Sequence, residues 1–78
     1  MYVNVEHLGR KFAGVETILD RCVQEKWIRL VEKGGIRYLS RPDAYKLRFI
    51  FHLRNSGVQW EDIPGHLTPG HLYTTEAR

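Results

Sequence analysis

The sequence predicts a small, mainly α-helical domain with one β-hairpin, its elements ordered α-α-β-β-α-α. Three observations carry that expectation. Apolar residues recur at three- and four-residue steps in two early segments and one late one, the spacing of a helix face turned to a core. β-forming residues flank the pair Gly34-Gly35, which can take the positive φ of a tight hairpin turn. Ser40 and Asp43 then stand at the spacing of a helix start, with Pro42 in the first turn, where its missing N–H costs nothing.

Taken in order, Asn4 caps a first helix from Val5 to about Phe12, in which Leu8 and Phe12 share a face. Gly14 breaks that pattern. A second helix is expected over 15–26, with Val15, Ile18, Leu19, Cys22 and Val23 on its inner side. Two short helices joined around a glycine have the outline of a helix-turn-helix, which many helical hairpins share. Trp27, Ile28, Leu30 and Val31 form the first strand of the hairpin, and Ile36, Tyr38 and Leu39 the second. Lys33 lies at the tip and Arg37 on the returning strand. The long helix runs from about Arg41 to Asn55, with Leu47, Phe49, Ile50 and Leu53 available to a core, and Gly57 closes it in a left-handed conformation. A fourth, short helix begins in "VQWEDI", and Pro64 and Gly65 are expected to end or distort it early. Residues 1–65 thus make one domain, and 66–78 a polar tail.

The totals narrow the function classes. Seventy-eight residues, 42% hydrophobic and 27% charged, describe one soluble domain with a small core. No apolar run approaches the roughly 18–20 residues of a membrane span, and "MYVNVEHLGRKF" has no signal-peptide core, so a cytoplasmic location is expected and no membrane partner. The single cysteine, Cys22, forms no intrachain disulfide and is expected to pack as a small apolar residue. The net charge of +3 permits a polyanion partner. No nucleophile–base motif, Walker loop or Gly-x-Gly-x-x-Gly appears. His66 and His71 stand apart with no cysteine pair nearby. Neither catalysis, a metal nor a cofactor is therefore expected.

The stretch from Gly35 to Ile63 resembles the winged-helix DNA-binding domain of the MerR family of bacterial regulators. Gly35-Ile36-Arg37-Tyr38 matches that family's glycine-aromatic-arginine-tyrosine piece, with Ile36 where an aromatic is usual. Ser40 and Asp43 match its helix start. Leu47, Phe49, Ile50, Leu53, Arg54 and Gly57 match its Leu-x-Phe-Ile-x-x-Leu-Arg-x-x-Gly run, and Asp62-Ile63 its closing pair. The chain departs from the family at Thr17-Ile18-Leu19-Asp20-Arg21-Cys22, where an Arg-Tyr pair that reaches DNA is usual. It also ends before the long helix that pairs two family subunits. The resemblance implies a winged helix-turn-helix, either a stand-alone, excisionase-like short form or a piece of a longer regulator.

A helix about 10–12 Å across fits the major groove. The outer face of the second helix offers Arg21 for a guanine, Gln24 for an adenine, and Thr17 for a phosphate or a thymine methyl. Glu16 and Asp20 on that face repel phosphates, unless one accepts from a cytosine amine or orients Arg21. The resemblance makes the hairpin a wing that lays Lys33 and Arg37 along the backbone or into the minor groove, with Tyr38 either beside them or packed under the wing; backbone contacts of this kind position a protein without reading sequence. Arg41, Lys46, Arg48 and Arg54, on or beside the third helix, are further backbone candidates, Arg54 by the family's clamp; they read equally as a charged outer face, or Arg54 as bonding to carbonyls between helices. The expected partner is double-stranded DNA, with self-association or a protein partner on it, and the expected role transcription control. Two alternatives use the same fold: a protein-interaction module docking through Phe51, Trp60 or the tail, and an excisionase-like recombination or architectural factor.

Overall fold

A computed structural model describes residues 1–67. It is mainly helical, with a three-stranded antiparallel sheet: β1 (Tyr2–Asn4), α1 (Val5–Lys11), α2 (Glu16–Gln24), β2 (Leu30–Lys33), β3 (Ile36–Ser40), α3 (Arg41–Asn55), a 3-10 turn (Trp60–Asp62) and α4 (Ile63–Leu67).

Local chemistry explains most boundaries. Asn4 Oδ1 accepts from the Glu6 and His7 amides at 2.7 and 3.3 Å and starts α1. Gly14, at φ +95, turns the chain into α2, and a Cβ there would meet the Phe51 ring at 3.5 Å. α2 ends at Gln24, two residues short of the sequence expectation, and Lys26 takes a positive φ just beyond it. Trp27 and Ile28, expected in the first strand, instead precede it, with Ile28 buried in the core. Gly34 and Gly35 both have positive φ, the requirement of a two-residue hairpin turn whose twist suits the strands. Ser40 Oγ accepts from the Asp43 amide at 3.2 Å, and α3 spans the bounds read from the sequence. Ser40→Ala removes that cap and is expected to cost about 1 kcal/mol, seen as a drop of several degrees in thermal unfolding.

The strand order is β1-β3-β2, so β3 is central. Leu39 pairs with Val3 on one side and Leu30 on the other, and is wholly buried. Around it gather Val5 and Leu8 of α1, Ile18, Leu19 and Cys22 of α2, and the α3 stripe Ala44, Leu47, Ile50, Leu53. Ile63 of α4 closes the cluster. No polar or charged residue is buried with them among the described residues. None of the helices there is long and apolar enough to cross a membrane.

Two further expectations are corrected. Phe49 does not face the core: it is 43% exposed. The core stripe of α3 steps by three residues, and Phe49 sits about 100° around the helix from Ile50, off its edge. Nor do Pro64 and Gly65 end the fourth helix. The 3-10 turn hands over to α4 at Ile63, which places Pro64 second in the helix, where its lack of an N–H is harmless. α4 carries on through His66 and Leu67, which the sequence assigned to the tail; the rest of that tail, 68–78, including His71, lies outside the described residues.

Candidate nucleic-acid interface

The α2 face is built as its periodicity demands, with Ile18, Leu19 and Cys22 inward and Glu16, Thr17, Asp20, Arg21 and Gln24 exposed. Each polar group arrives with its own commitments. Thr17 Oγ1 donates to the Gly14 carbonyl at 2.6 Å, so its proton is spent on the turn. What remains for a duplex is its methyl group and an accepting lone pair, which suits a thymine methyl and not a phosphate. Arg21 Nε donates to Glu25 at 2.9 Å, and its guanidinium lies 4.7 Å from the centre of the Trp60 ring. Its two terminal nitrogens stay available for an end-on guanine contact. Gln24 is exposed. Glu16, Asp20 and Glu25 outnumber Arg21 along this segment, so α2 by itself repels a phosphate backbone.

The hairpin carries the opposite balance at its tip. Lys33 is exposed beside the glycine pair, opposite Ile36, and Arg37 stands opposite Glu32 in the register. Ile36 is 43% exposed, an apolar side chain held out at the turn. Tyr38, half-buried, sits between Asn4 and Val31 in the sheet and lines a groove toward α1 and α3.

The α3 candidates separate. Arg41 is exposed at the helix start, its guanidinium 3.5 Å from Met1 Sδ. Lys46 and Arg54 are instead half-buried ties inside the domain. Lys46 Nζ donates to the Trp27 carbonyl at 3.0 Å, satisfying the backbone that leaves α2. Arg54 Nη1 donates to the Val58 carbonyl at 2.9 Å and stacks 4.6 Å from the Trp60 ring centre. Trp60 also stacks on Trp27, with centroids 6.1 Å apart. Arg21, Trp27, Arg54 and Trp60 thus form one cluster joining the ends of α2 and α3 to the 3-10 turn. Arg48, the remaining α3 cation, is exposed. Its guanidinium lies 4.4 Å from the Phe12 ring centre and 5.8 Å from that of Tyr45.

Cys22 is fully buried, and burial pushes its thiol from 9.0 up to about 11, with Arg21 opposing and Glu25 adding to the shift. The folded protein is therefore expected to resist thiol reagents at pH 8 until denatured. The sign for stability follows from the same shift. Below pH 9 both states keep the proton; as pH rises from 9 toward 11 the unfolded chain ionises first, and stability falls. Cys22→Ala should lack that component, read as the difference between the two proteins' denaturation midpoints across this range.

The described residues hold no group of three or more side chains able to bind a metal ion. Neither a family model, a curated protein nor a solved structure matches the chain.

Proposed function

We infer that the domain is a winged helix-turn-helix that binds double-stranded DNA without catalysis, with α2 at the major groove and the β2–β3 hairpin along the flanking backbone. The observation that carries this reading is the state of its cations. Among the described residues only Arg21 is paired with a carboxylate; the other lysines and arginines have no acid within ion-pair distance. Lys33 at the tip, Arg37 behind it and Arg41 at the start of α3 follow one another along a single hairpin-to-helix passage. Such a run suits a polyphosphate, and the order of helix, glycine turn, helix and glycine-tipped hairpin is that of a helix-turn-helix followed by a wing. The role is transcription control; an excisionase-like architectural role needs the same contacts.

A second reading has one specific observation in its favour. The two acids Glu16 and Asp20 on the outer face of α2 suit a protein-interaction module that keeps α2 off DNA. A salt titration of duplex binding separates the two. Neutralising about four to six phosphates gives a log–log slope of roughly −4 to −5. Binding that is absent at low salt, or unchanged by salt, excludes the DNA reading.

A further inference from the structure

Beyond Arg41, which belongs to the proposed duplex contact, the solvent face of α3 has a composition that duplex binding by α2 and the wing leaves unused. Arg41, Tyr45, Arg48, Phe49 and His52 fall on one stripe, opposite Ala44, Leu47, Ile50 and Leu53. Tyr45 is 57% exposed and Phe49 43%, one turn apart. A groove between this face, α1 and β1 is lined by Tyr2, Lys11, Phe12, Tyr38, Arg41 and Arg48. It is continued by a second hollow beside Phe49, Phe51 and His52. Neither is lined by any aspartate or glutamate, and none of the cations there pairs with a carboxylate. An ordinary solvated helix face mixes charge signs and carries few large rings. Exposed tyrosine and phenylalanine bordered by arginine is instead the composition of the residues that dominate binding energy in protein interfaces.

We propose that this face is a second docking site, for an acidic segment of a partner protein bearing aliphatic or aromatic anchors. Charge complementarity sets the acidic character, because cations surround the rings with no acid among them. The state of the rings decides between a peptide and a nucleic-acid strand. A nucleobase needs a bare aromatic face, and the Arg48 guanidinium already lies over Phe12 and near Tyr45. A carboxylate can pair with Arg48 without displacing it from those rings, while an apolar side chain packs on Phe49 and Phe51. No α2 residue lines either hollow; of the proposed duplex contacts only Tyr38 and Arg41 line the first and none lines the second, so a partner can be held at the second while α2 faces a duplex.

The test uses the full 78-residue chain and a fluorescein-labelled peptide of about 16 residues alternating Asp or Glu with Leu or Phe, read by anisotropy. The control peptide keeps the acids and replaces Leu and Phe with Ser; a fluorescein-labelled oligothymidylate of similar length is the competing class. Saturable binding of the acidic-apolar peptide in the micromolar range is expected. Tyr45→Ser with Phe49→Ser should weaken it about tenfold or more while changing duplex affinity less than about twofold. Arg48→Glu should weaken the peptide equally. The proposal is overturned by no saturation below roughly 1 mM, by equal binding of the serine control, or by variants that leave peptide affinity unchanged. A tighter, Tyr45- and Phe49-dependent affinity for oligothymidylate also overturns it, assigning the face to single strands. Should a variant melt early, amide shifts in the unsubstituted protein decide: changes at Lys11, Tyr45 and Phe49 support the site, and changes confined elsewhere reject it.

Discussion

Ile50→Ala is expected to destabilise the domain by about 2–5 kcal/mol. Ile50 is wholly buried in the middle of the α3 stripe, between Leu47 and Leu53, in the core that Leu39 of the central strand shares. Removing its branched chain loses the transfer energy of the missing carbons and leaves a cavity that the rigid neighbours close only in part. A domain of this size has a total stability of roughly 4–12 kcal/mol, so the loss is a large share of the whole. Chemical denaturation should show the midpoint falling sharply, with a substantial unfolded fraction at 37 °C. A shift of less than about 1 kcal/mol would mean that α3 does not pack as described.

The second large effect is on duplex affinity. Replacing both Lys33 and Arg37 with alanine should reduce the steepness of the salt dependence by about two, one for each phosphate no longer neutralised. Affinity near physiological salt should drop about tenfold or more, and by the same factor for every duplex tested, because these contacts position without reading. Neither residue is ion-paired within the domain, so folding should be little affected. Arg21→Ala should behave differently, relaxing sequence preference as well as weakening binding, since only α2 faces base edges in this arrangement. Its loss also frees Glu25 and uncovers part of Trp60, so its stability must be measured alongside.

Features governed by neighbouring residues were legible in the sequence. Asn4 and Ser40 cap helices because each side-chain oxygen serves amides two or three residues on. The Gly34-Gly35 turn is likewise set by two residues that tolerate positive φ. Features set by remote partners were not. β1 went unseen because Tyr2–Asn4 is too short to show alternation, and its only support is pairing with the distant β3. Lys46 read as a surface cation; what draws it inward is the carbonyl of Trp27, whose position depends on how the end of α2 finally packs. Arg54 read equally as a backbone clamp and as a tie to carbonyls between helices, and its bond to the Val58 carbonyl is of the second kind. Phe49 looked like core because it is aromatic, yet a stripe stepping by three through Ala44, Leu47, Ile50 and Leu53 leaves it outside. The candidate site is therefore readable as a set of residue types along α2 and the hairpin. Which of its cations are occupied by the protein's own backbone emerges only from the packing.

The central claim is that α2 and the hairpin tip engage one duplex together. Amide shift mapping of the isotope-labelled protein, titrated with duplex DNA at low salt, tests it most directly. The account predicts that Thr17, Arg21 and Gln24 shift in the same saturating step as Lys33 and Arg37, while amides around Ile50 stay put. Shifts at the hairpin with none along α2, or none at either, would contradict it.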